Sequence, residues 1–79
     1  MENRAKALLL LTQWHLEELP TGGEVFISRR ITERYSLIEW FEFEKLFMER
    51  AKELGLEVSI EADLYSYRTR IRWRPAVES

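Results

Sequence analysis

The alternation of apolar and polar residues is clearest near the C-terminus. Leu56, Val58, Ile60 and Ala62 alternate with Glu57, Ser59, Glu61 and Asp63, and Tyr67, Thr69, Ile71 and Trp73 alternate with Arg68, Arg70, Arg72 and Arg74. A period of two marks a strand with one face toward a core, so residues 56–74 read as a β-hairpin. A turn at Leu64-Tyr65 places Ala62 opposite Tyr67, Ile60 opposite Thr69, Val58 opposite Ile71 and Leu56 opposite Trp73. On the other face Glu61 meets Arg68, Ser59 meets Arg70 and Glu57 meets Arg72. Leu-Tyr is poor chemistry for a two-residue turn, and a four-residue loop at the same register serves equally.

The pattern changes to a helical one over residues 37–54. Leu37, Trp40, Phe41, Phe43, Phe47, Met48, Ala51 and Leu54 form an arc of about half the helix, with Glu42, Lys45, Glu49, Lys52 and Glu53 opposite. Ser36 followed by Glu39 is a capping box, and Gly55 stands where a helix-terminating glycine belongs. Residues 2–19 read as a second helix, stopped by Pro20. Its apolar positions fall on two sides. Ala5, Leu8, Leu9, Leu16 and Leu19 share one stripe, and Leu10, Leu11 and Trp14 lie elsewhere, which is greasier than a one-sided surface helix. Thr21-Gly22-Gly23 is a turn. Glu24 to Thr32 then alternate as a strand, with Val25, Ile27 and Ile31 on one side, Arg29 the exception among them, and Phe26, Ser28, Arg30 and Thr32 on the other.

The element order is α-β-α-β-β, a single small α+β domain over residues 1–79. A helix links the first strand to the hairpin, so one parallel pairing with a right-handed crossover is expected. The result is a three-stranded mixed sheet with two helices packed on one face. The alternative is a winged helix, with a short helix at Ser28–Tyr35, a recognition helix at 37–54 and a wing at 56–74. The apolar, aromatic character of 37–54 argues against a helix lying in a DNA groove.

Composition narrows the chemistry. The chain has no cysteine and one histidine among 79 residues, which excludes disulfides, thiolate or multi-histidine metal sites and a cysteine nucleophile. His15 with Glu18 offers too few ligands for a metal. No serine or threonine has a basic partner at a diagnostic spacing, and Gly22-Gly23 belongs to no phosphate loop. No catalytic, cofactor or metal residues are therefore expected, nor a small-molecule substrate; the protein is read as a non-enzyme. The longest apolar run near the start, Leu8 to Leu11, is far too short for a membrane span or secretory signal. A soluble, cytoplasmic protein is the expectation, with no membrane partner.

The net charge of −2 hides a segregation, because Arg68, Arg70, Arg72 and Arg74 against Glu78 leave residues 64–79 at +3. Together with Arg30 these arginines are the candidate partner-binding or polyanion-binding residues, with Tyr65, Tyr67 or Phe26 available to stack bases. Paired with Glu57 and Glu61 they would instead be a solvated face, and Arg70, opposite Ser59, and Arg74, opposite no acid, would be left over. Glu44 falls inside the apolar arc, either buried against Arg29 or Arg34 or reaching water at the rim. Leu10 and Trp14 are candidate interface residues. Three functions follow. The first is an interaction module binding another protein or itself as a homodimer through its aromatic and arginine residues. The second is nucleic-acid binding through the arginine face, against which stands an acidic whole, pI ≈ 5.4. The third is an engineered domain without a biological ligand.

Overall fold

The computed structural model describes residues 4–63 and 68–77. Its elements are α1 (Arg4–Thr12), α2 (Trp14–Glu18), β1 (Gly23–Ser28), α3 (Arg29–Thr32), α4 (Leu37–Glu53), β2 (Leu56–Asp63) and β3 (Arg68–Pro75). The three strands form an antiparallel sheet in the order β1-β3-β2, with helices packed on one face. The domain is thus α+β, as its pattern predicts. No helix among the described residues is long and apolar enough to cross a membrane.

The long helix forms as expected. Ser36 Oγ accepts from the Glu39 amide at 3.1 Å and the Ser36 amide donates to Glu39 Oε1 at 2.9 Å, a complete capping box. Gly55 ends the helix at φ 74°, a conformation that disfavours other residues. Phe43, Phe47 and Ala51 are fully buried. Phe43 lies between Trp40 and Phe47, with ring centroids 5.1 and 5.7 Å apart, and Phe47 meets Trp73 at 6.3 Å. This aromatic run joins α4 to the central strand. The covered arc is narrower than the apolar one, however: Leu37, Phe41, Met48 and Leu54 remain exposed.

Four details of the sequence-based fold are corrected. The first helix is not continuous. It breaks at Gln13 because the Thr12 hydroxyl donates to the carbonyls of Leu8 and Leu9, at 2.9 and 3.3 Å, and the Leu16 amide bonds Gln13 at 3-residue spacing. The first strand stops at Ser28 rather than Thr32. Arg29 and Glu33 make an i,i+4 ion pair of 2.7 Å and the chain turns into α3. Alternation had extended the strand through residues whose local pairing is helical.

The sheet is antiparallel throughout, not mixed. β1 and β2 do run in the same direction, but β3 is inserted between them, pairing antiparallel with both. This places Ile71 between Val25 and Ile60, and Trp73 between Gly23 and Val58. The bulkiest apolar residues of the hairpin thereby gain neighbours on both sides. A short α3 before α4, followed by a two-stranded wing, gives the element order of the winged-helix alternative. Lastly, the hairpin register is shifted by two residues: Asp63 faces Arg68, Ala62 faces Thr69, Ile60 faces Ile71 and Val58 faces Trp73. A shift of two keeps every side chain on its predicted face and changes only its partner. The expected Ala62–Tyr67 pair is thus replaced by Ala62–Thr69, and Tyr67 itself lies outside the described residues.

Candidate functional site

Two surfaces carry the residues singled out from sequence. The first is the outer face of the sheet. By register it presents Glu24, Phe26 and Ser28 on β1, the four arginines on β3, and Glu57, Ser59 and Glu61 on β2. Central placement of β3 gives every arginine of the row a partner on this face. Arg68 lies over the Phe26 ring at 3.7 Å. Glu61 accepts from Arg70 at 3.1 Å and stands 3.8 Å from Arg72, and Arg74 reaches Glu57 at 3.3 Å. The hydrogen bond from Arg70, then that from Ser59, holds the Glu61 carboxyl below its ordinary range.

This differs from the expected arrangement in two respects. Arg70 and Arg74, expected to be surplus cations, are both paired, with Glu61 at 3.1 Å and Glu57 at 3.3 Å, because the register shift sets these carboxylates opposite them. Arg30 is not on this face at all: it belongs to α3, beyond the end of β1. An open depression at one end of the sheet, lined by Glu24, Glu57, Ser59, Arg72 and Arg74, mixes both signs of charge. Tyr65 and Tyr67 lie outside the described residues.

The second surface is the face of α1 and α2 turned away from the core. Ala5, Leu8, Thr12 and Leu16 are buried, and Leu9 packs against them. At about 100° per residue, Ala7, Leu10, Leu11 and Trp14 centre on the opposite side of the helix. All four are exposed, Leu10 by 59%, Leu11 by 69% and Trp14 by 47%. The Trp14 ring stacks on His15 at 3.8 Å, which fixes its orientation along the helix. Leu10 and Trp14, named from sequence, thus share one patch with Leu11 and Ala7. Ala7 is legible only once the buried stripe is known.

Both ends of this helical pair are tied to the body. Arg4 donates to the Arg34 carbonyl, approaches Glu39 at 3.5 Å and lies 4.6 Å from the Tyr35 ring centre. Glu17 pairs with Arg50 of α4 at 2.7 Å. The Trp73 indole donates to the Leu19 carbonyl at 2.9 Å, locking the chain just after α2 onto the sheet. The patch is therefore held on a fixed support.

The remaining candidates carry no site. Glu44 is half-buried, beside the exposed stripe rather than in the core. Arg29 pairs with Glu33 at 2.7 Å. Among the described residues no three His, Asp or Glu side chains converge as metal ligands. Comparison with known proteins finds no matching family model, no similar curated protein and no matching solved structure.

Proposed function

We propose that this is a non-enzymatic protein-interaction module whose binding surface is the outer face of α1 and α2. The observation that carries the reading is the double-sided apolarity of that helical pair. A helix apolar on all sides belongs inside a protein, yet here one side is covered and the opposite one, with Leu10, Leu11 and Trp14, is open. Tryptophan in an exposed apolar patch is the residue type that dominates binding hot spots. Charge argues against nucleic acid as the partner. The arginine row is paired within its own face, and α4, which would be the reading helix of a winged-helix DNA binder, carries five glutamates against two lysines and one arginine.

A photo-crosslinking side chain placed at Leu11, in cells producing the protein, tests the proposal. The expected product is a protein–protein adduct mapped by mass spectrometry to this helix and lost when Trp14→Glu is added without change in the circular dichroism spectrum. Adducts that persist with Trp14→Glu, or that form only with lipid or small molecules, would refute it.

A further inference from the structure

We infer that the open edge of β2, roofed by the outer flank of α4, is a second docking site. Its occupant is an extended segment of a partner protein: one strand, apolar at alternate residues, with a basic residue on its apolar side. The site is separate from the face of α1 and α2 and does not depend on it. Three features of one side of the domain converge on it.

The first is the edge. β2 pairs with β3 alone, so every second residue turns its N–H and C=O outward. Sheet edges are commonly blunted by lysine, proline or a bulge. The eight residues of β2 include neither lysine nor proline and pair with β3 without interruption. The second is the helix above. α4 lies over β2 and packs against α1 on its other flank. Glu39 and Arg50, which meet Arg4 and Glu17, mark that flank. At about 100° per residue along this unbroken helix, Leu37, Phe41 and Met48 fall within about 40° of one another on the opposite flank, and all three are exposed. They overhang the β2 edge. An added strand would set its inward side chains against them, beside Val58 and Ile60, which are only half-buried.

The third is Glu44. By itself it makes no site, but it stands on the sheet side of this stripe, half-buried, and joins no hydrogen bond or ion pair among the described residues. Glu57 and Glu61 are held by arginines of β3. Glu44 is therefore a carboxylate still open to a cation brought in by the strand.

Steric grounds favour a separate segment over a second copy. Neighbouring strands lie about 4.8 Å apart, whereas packed helices need ~8–10 Å between axes. Pairing β2 with β2 of another copy about a two-fold axis would leave both α4 helices on one face and drive them into each other. A head-to-tail pairing of β2 with β1 would not close. A bare strand carries no helix, and the alternation of its side chains suits the edge beside it and the stripe above. Eight residues span about 27 Å at ~3.4 Å each. That is a small contact, so transient binding of micromolar strength is expected.

The probe is a display library of random nine-residue peptides selected on the immobilised protein. Enriched sequences should alternate apolar and polar residues, with Lys or Arg at one position of the apolar side. Binding of the synthesised consensus peptide, measured by calorimetry, should fall about ten-fold or more with Phe41→Glu and several-fold with Glu44→Gln, and should be unchanged with Trp14→Glu. Thermal melts confirm that each variant is folded. Glu44→Lys should recover binding to a peptide whose basic residue is replaced by glutamate. By NMR, amides at alternate residues of β2 should exchange freely without peptide and become protected with it. Enriched sequences with helical spacing, no enrichment, or binding that leaves the β2 amides exchanging would each overturn the inference. So would a wild type that dimerises at high concentration and becomes monomeric with Phe41→Glu, since the stripe would then belong to a second copy. Peptide binding abolished by Trp14→Glu and untouched by Phe41→Glu would refute this site and leave the surface of α1 and α2 standing.

Discussion

Two phenylalanines on one helix should respond in opposite ways to the same truncation. Phe47 has no exposed surface and touches both Phe43 and Trp73, whereas Phe41, less than two turns earlier, is 61% exposed. Truncating a buried Phe to Ala costs about 3–5 kcal/mol, from lost transfer energy and the cavity left behind. A chain of this length has a total stability of roughly 4–12 kcal/mol, at ~0.05–0.15 kcal/mol per residue. Phe47→Ala should therefore remove a large fraction of it and leave the protein partly unfolded at room temperature. Phe41→Ala should change stability by no more than ~0.5 kcal/mol, as for other exposed positions. Urea unfolding at pH 7, followed by circular dichroism and tryptophan fluorescence, measures both. Equal losses would mean that α4 presents a different face to the sheet and that the aromatic run from Trp40 to Trp73 does not form the core.

Ser36→Ala removes the acceptor for the Glu39 amide and should cost ~1 kcal/mol, seen as a lower urea midpoint with unchanged slope. Trp73→Phe removes one of two donors to the Leu19 carbonyl, which keeps the Gly22 amide at 3.1 Å, and should cost about 0.5–1.5 kcal/mol, again by urea unfolding; a neutral result would mean that water replaces the indole. The Glu39 carboxyl is held below its ordinary value of 4.5, chiefly by the Ser36 amide, and Glu61 is lowered by Arg70. Both pKa values are lower folded than unfolded, so their contribution is complete above about pH 4.5 and is lost as pH falls through the folded values. The melting temperature should fall with acid in that window, and Glu61→Gln with Glu39→Gln should flatten the fall.

The elements best read from sequence are those specified locally by more than one signal. Ser36, Glu39 and Gly55 delimit α4 because cap, box and terminating glycine each satisfy backbone groups within a turn. The faces of β2 and β3 follow from parity alone, which is why a two-residue error in register left Ile60 and Ile71 inside and Glu61 and Arg70 outside. Pairing between distant strands has no such local mark. Only the packing of Ile71 and Trp73 against two neighbours brings β3 to the centre. Arg29 to Thr32 read as strand because the alternation, broken only at Arg29, resumes at Ile31, while an Arg29–Glu33 pair favours a helical turn. Leu37 and Phe41 belong to the apolar arc yet stay exposed, because an apolar arc shows what can be buried, and only the tertiary structure shows how much surface is available to bury it. For the same reason the two-sided greasiness of residues 4–18 was visible, but which side would remain open was not.

The central position of β3 also decides what the arginine row can bind. A polyanion approaching the outer face would have to replace Glu61 at both Arg70 and Arg72, and Glu57 at Arg74. It would meet Glu24 beside Arg72 on the other flank. Each phosphate gained would cost an existing carboxylate contact, so few counterions would be released and little free energy gained from dilution of salt. Arg68, set over the Phe26 ring, occupies the aromatic face on which a base would need to stack. The wild-type protein is therefore expected not to bind single- or double-stranded nucleic acid at low salt, as measured by fluorescence anisotropy. Removing the competitor should expose any latent site: Glu61→Gln frees two arginines together and should produce weak binding that falls with rising salt. Tight, steeply salt-dependent binding by the wild type, lost in Arg70→Glu, would show that the carboxylates are displaced readily and that the pairing on this face does not protect it.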